Sequence, residues 1–182
     1  LIILAECEEP TEAVAELNRH SSRLFHLTKT LGGKLELLSC LPEPCVVPVA
    51  DYSGLSFRRV IPPLGKEILL VGVHLPSKMF MSGEDQVMQC TTFAAKVKEV
   101  EEKVGHQRTV VVGDFNLNPF DVGLVSAQGF HACISRSIAK KGGRVVSGER
   151  YPFFYNPMWN CLGDGDSNPP GTYFYEKSSA VV

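Results

Sequence analysis

The sequence predicts an α+β fold, a layered α/β sandwich in which two packed β-sheets are flanked by helices. Three observations predict it. Two nearly continuous apolar runs, ILLVGVHL ending at Leu75 and VVVG ending at Gly113, read as strands. A long amphipathic pattern from Gly83 to Val104 separates them, and no internal repeat interrupts the order. At 182 residues and 44% hydrophobic composition, the chain suffices for one sizeable core and reads as a single domain over residues 1–182.

The elements follow in order. Leu1 to Ala5 is an apolar strand, and Pro10 with Thr11 as N-cap opens a short helix whose Ala13, Val14 and Leu17 share a face. Lys34 to Ser39, Cys45 to Val49 and Leu55 to Ile61 are extended segments, with Pro48 marking an edge or a bulge. Glu67 to Leu75 is apolar nearly throughout and reads as a strand covered on both faces. In the Gly83 to Val104 helix, Val87, Cys90, Ala94, Val97 and Val104 recur at helical spacing, opposite a surface rich in Lys and Glu. Arg108 to Gly113 is a second fully apolar strand, followed by DFNLNPFD and a short helix closed by Gly129. Beyond Arg136 the chain is rich in Gly, Pro, Asn and aromatic residues, which predicts mostly loop with short strands.

Bulk properties exclude several classes. The charged fraction is 21% and the mean hydropathy +0.02, and no apolar run is long enough to span a bilayer. A net charge of -2 and a pI near 6.2 lack the broad basic field of a non-specific nucleic-acid binder. Local cation groups stand at Arg58 and Arg59 and at Lys140, Lys141 and Arg144; such groups are usually solvated surface. The six cysteines are scattered without a CxxC pair, which fits reduced thiols and a cytoplasmic protein. Cys40 and Cys45 supply half of a zinc pattern whose second half is missing. The chain opens inside an apolar strand at LIILAE and stops in the strand-like YFYEKSSAVV, so it reads as a domain cut at both ends. Oligomeric state is not encoded in any pattern.

Three strand ends bear polar groups: Glu6 after LIILA, His74 in ILLVGVH, and Asp114 with Asn116 after VVVG. Gathered at one sheet rim, two carboxylates and an amide form the hard oxygen set that suits Mg2+ or Mn2+, and an imidazole beside them can contact phosphate or move a proton. Each position also has a plainer reading. Asp114 and Asn116 can serve as turn formers, His74 as a hydrogen-bonded sheet-edge histidine, and Glu6, like Glu8 and Glu9 after it, as a solvated carboxylate.

VVVGDFNLNPFD resembles the GDFN motif of the endonuclease/exonuclease/phosphatase superfamily, and VGVHLPSK is similar to the strand that precedes it there. The order of segments also agrees, from a strand ending in Glu through a long helix to GDFN. Motif-level similarity is confined to about three short segments. The resemblance implies a metal-dependent phosphoester hydrolase acting on nucleic acid or on small-molecule or lipid phosphates. Glu6 and Asp114 would be metal ligands, Asp114 would orient or deprotonate the attacking water, Asn116 would hold the phosphate or the water, and His74 would assist at the phosphate. Arg58 or Arg59 could help to bind a phosphate. The chain departs from the family pattern in two respects: no Asn-bearing strand precedes Leu1, and no closing Asp-His pair occurs. His131, the only histidine after GDFN, sits in GFHACISRS and does not match that pair. The competing expectation is a non-catalytic binding or scaffold module that keeps the fold; the retained GDFN weighs against it.

Overall fold

A computed structural model describes residues 1–161; the predicted strand at Tyr173–Val182 lies outside the described residues. The elements in chain order are β1 (Ile2–Leu4), α1 (Pro10–His20), β2 (His26–Leu27), β3 (Glu36–Ser39), β4 (Val46–Tyr52), β5 (Leu55–Val60), β6 (Ile68–His74), α2 (Gly83–Val104), β7 (Thr109–Asp114), α3 (Val122–Val125), β8 (Ala132–Cys133), α4 (Arg136–Ala139), β9 (Gly143–Val146), β10 (Glu149–Pro152) and β11 (Phe154–Tyr155). The mixed helix and strand content is that of an α+β fold, as expected. The described residues form two compact units, one of Leu1–Leu75 with Lys96–Phe115, the other of Pro76–Ala95 with residues 116–161.

The first unit contains the two larger sheets. One has the order β4-β5-β6-β7, antiparallel except for β6 and β7, which are parallel and joined through α2. The other has the order β1-β3-β2 and is antiparallel throughout. They pack face to face. A methyl group added at Gly72 in β6 would stand 3.3 Å from Ile3 Cδ1 and 3.5 Å from Leu35 Cδ1, so the small residue lets the sheets close on each other. Leu37, Val46, Val60 and Leu70 form a buried cluster with Ile3, Leu41 and Ile68 against it. Each such fully buried aliphatic side chain contributes about 1.5–3 kcal/mol relative to exposure.

Local chemistry explains the element boundaries. Pro48 lies on edge strand β4, where the register to β5 shifts between Pro48 and Ala50, so its missing N–H interrupts no central ladder. β6 is buried over Leu69–Val73, the inner strand that its apolar run predicts.

Three expectations need correction. Thr11 does not cap α1: Pro10 takes the first helical position, where its fixed φ suits the helix, and Glu9 precedes it without a side-chain cap. Cys90 and Val97 lie on the buried face of α2 as expected, together with Gln86, Phe93, Val100 and Glu101, the last of which belongs by its sequence position to the Lys- and Glu-rich surface; Val87, Ala94 and Val104 are half-buried. β7 forms at the expected apolar run as the last strand of its sheet, with Val110 and Val112 46% and 45% exposed. The short helix α3 ends at Val125, and Gly129 instead closes the following turn with its N–H on Ser126 O.

In the second unit, β9 and β10 form a hairpin whose two-residue turn, Ser147 and Gly148, has φ of +51° and +85°. Positive φ at both positions matches the right-handed twist of the flanking strands. β8 and β11 form a short parallel pair, with Phe130 edge-on to Phe154 beside it. Among the described residues, no helix is long and apolar enough to cross a membrane.

Candidate functional site

Because β6 and β7 run parallel, their C-terminal ends lie side by side, and the register sets Val73 opposite Gly113 and His74 opposite Asp114. Register partners on adjacent strands project to the same face of a sheet, so His74 and Asp114 share one. Gly113 makes this approach possible. Its φ is +150°, and a Cβ there would lie 1.9 Å from Val73 O, which no side chain can tolerate. Main-chain bonds then hold the rim: Leu75 N–H donates to Asp114 O and His74 N–H to Gly54 O, each at 2.9 Å.

Glu6 reaches the same rim from the other sheet. It stands two residues beyond β1 in a left-handed backbone, φ +53°, with its side chain 81% exposed and Oε1 at 3.6 Å from His74 Nε2. That distance marks an electrostatic neighbour rather than a formed hydrogen bond. His74 therefore neighbours Glu6 by side-chain distance and Asp114 by ladder register. Asn116 belongs to the second unit and has φ +49°, a conformation that asparagine tolerates better than most residues. Glu6 and Asn116 are two of the four non-glycine residues with positive φ among those described, and such backbones concentrate at functional sites.

The arginines are placed elsewhere. Arg58 is 1% exposed and donates to Asp51 through Nη1 at 2.6 Å and Nη2 at 3.1 Å, with a further bond to Phe57 O. Burial pushes the Asp51 carboxyl up, but hydrogen bonds from Arg58, the Leu31 N–H and Ser56 outweigh it and leave it below its ordinary range. Arg59 is occupied by Glu67, at 2.8 Å from Nε and 2.6 Å from Nη2. Arg58 forms a buried structural ion pair, which corrects its reading as a phosphate ligand, while Arg59 is engaged by Glu67.

Sequence reasoning overlooked Lys78 and Asp121, which pair at 2.8 Å in the second unit, where Asp121 Oδ2 also accepts the Asn118 N–H at 2.9 Å. This Asp fastens the NLNPFD segment. The signal was available in the residues closing the two motif segments, Lys78 after HLPS and Asp121 after NPF.

The donor chemistry suits a hard divalent cation. Among the described residues no group of three or more His, Cys, Asp or Glu is gathered as a metal cage. Mg2+ does not need one, since it keeps several waters and uses one or two carboxylates together with substrate phosphate. Glu6 and Asp114 are exposed carboxylates of that type. Comparison with family models, curated proteins and solved structures finds no match to this chain.

Proposed function

We propose that this chain is a divalent-metal-dependent phosphoester hydrolase, acting by in-line attack of water on phosphorus. The observation that supports the reading most is the rim itself: Asp114 in register with His74, and His74 3.6 Å from the Glu6 carboxylate. The resemblance of VVVGDFN to the endonuclease/exonuclease/phosphatase motif assigns the roles.

Glu6 and Asp114 would hold Mg2+ or Mn2+, which supplies charge stabilisation at the phosphoryl oxygens. Asp114 orients the attacking water and accepts its proton. Asn116 binds the phosphate or the water through its side-chain amide. His74, beside Glu6, donates to a phosphoryl oxygen. The substrate is a phosphodiester or phosphomonoester of nucleic acid, lipid or small-molecule type.

The test is hydrolysis of bis-p-nitrophenyl phosphate and of nicked or abasic duplex DNA, with Mg2+, Mn2+ or EDTA. Turnover that needs metal and falls by about 10²-fold or more in Asp114→Ala is expected, the size seen when a general base is lost. Circular dichroism and the melting temperature of Asp114→Ala check that the variant is folded. Folded protein without metal-dependent turnover on any of these substrates, or an Asp114→Ala variant as active as wild type, rejects the proposal.

A further inference from the structure

The segment from Arg136 to Arg150 contains five cations, Arg136, Lys140, Lys141, Arg144 and Arg150, against one carboxylate, Glu149, in a chain of net charge -2. All five are exposed, and among the described residues none is ion-paired. Two of them make contacts within the unit: Arg150 Nη2 reaches Lys141 O at 3.5 Å and Arg136 lies over the Tyr155 ring at 5.3 Å. Cross-strand pairing of Arg150 with Val145 puts a cation and an apolar side chain on one face of the β9–β10 hairpin.

Apolar residues mixed into this basic region are also open to solvent. Val145 is 64% exposed, Ile134 45% and Ile138 43%. A phosphodiester backbone has no use for exposed aliphatic side chains, whereas the interface of an anionic bilayer accepts both groups at once: cations at headgroup phosphates and aliphatic tips at the acyl boundary.

We infer that α4 and the β9–β10 hairpin form a docking surface for anionic lipid bilayers, with Lys140, Lys141 and Arg150 meeting headgroups and Val145 and Ile138 entering the interface; Arg144, paired with Tyr151, projects from the other face of the hairpin. This is attachment to a membrane surface, not insertion of a span. It is independent of the hydrolase reading, since neither metal nor a scissile bond takes part.

The experiment is sedimentation of the 182-residue chain with vesicles of phosphatidylcholine alone or with about 30 mol% phosphatidylserine. Binding should require phosphatidylserine and weaken when salt is raised from ~0.1 M to ~0.5 M. It should fall roughly fivefold for each of Lys140→Gln, Lys141→Gln and Arg150→Gln, about what one juxtamembrane cation supplies, and less for Arg144→Gln on the opposite face of the hairpin. Val145→Ser should weaken it as well, with circular dichroism and melting unchanged. Asp114→Ala should bind as wild type. Equal binding to neutral vesicles, no binding to anionic ones, or indifference to these substitutions overturns the inference. So does capture of a single-stranded oligonucleotide by the same cations while vesicles are left unbound.

Discussion

Gly113 stands opposite Val73 in the β6–β7 ladder with no space for a side chain, since a Cβ would come within 1.9 Å of Val73 O. The next pair along the ladder is His74 with Asp114. Gly113→Ala must therefore part the strand ends, and its φ of +150° adds backbone strain. The expected cost is about 2–4 kcal/mol, the range of overpacking combined with a disfavoured backbone. Urea denaturation checks it; a midpoint within error of wild type would show that the strands can separate at little cost.

The Arg58–Asp51 pair is removed from water on both sides, with side chains 2% and 0% exposed. Arg58→Ala strands the Asp51 carboxylate and should destabilise by about 3–5 kcal/mol. Pairing Arg58→Met with Asp51→Leu removes both charges and should recover most of that loss. A double-mutant cycle by chemical denaturation measures the coupling. If the double variant is as unstable as Arg58→Ala, packing around the guanidinium matters more than charge.

Acid stability should depend on Glu67. The Arg59 hydrogen bonds hold its carboxyl at about 2, against an ordinary 4.5, with His106 adding a smaller pull in the same direction. A depressed folded value means that the stabilisation is present above pH 4.5 and is lost as pH falls towards 2. Glu101 has the opposite sign: burial raises its carboxyl, so its ionisation costs stability as pH rises past its ordinary value. Glu67→Gln should flatten the melting temperature against pH between 4.5 and 2 and lower it at neutral pH. An unchanged acid limb would assign acid unfolding to other carboxylates, Asp51 first.

The parts of the fold legible in the sequence were those set by period. α2 begins and ends at the residues where its helical pattern begins and ends, and β6 occupies its apolar run to within a residue. What period cannot show is the number of covering neighbours. Val110 and Val112 look as enclosed as Val71 in the sequence, yet β7 is an edge strand and β6 is not. At the rim, the sequence singled out His74 and Asp114 because polar residues at the ends of apolar strands stand out. It could not show that Arg58 is buried, since its partner Asp51 lies across a hairpin and neither residue belongs to a motif. Lys78 and Asp121 close the two motif segments, but 43 positions separate them and no pattern in either segment shows that they pair.

The strand bearing Asp114 is anchored at its opposite end. Glu67 accepts from Arg59, stands 3.1 Å from His106 Nε2, and offers its own carbonyl to Arg108 Nε, immediately before Thr109 opens β7. Six residues of strand, roughly 20 Å, then run to Asp114. A slip of one residue at this mooring would turn every side chain of the strand over, and the aspartate would face away from His74. Alignment of the rim is thus decided at a distance, where the contacts of Glu67 with His106 and Arg108 act as the gauge that sets where the carboxylate arrives.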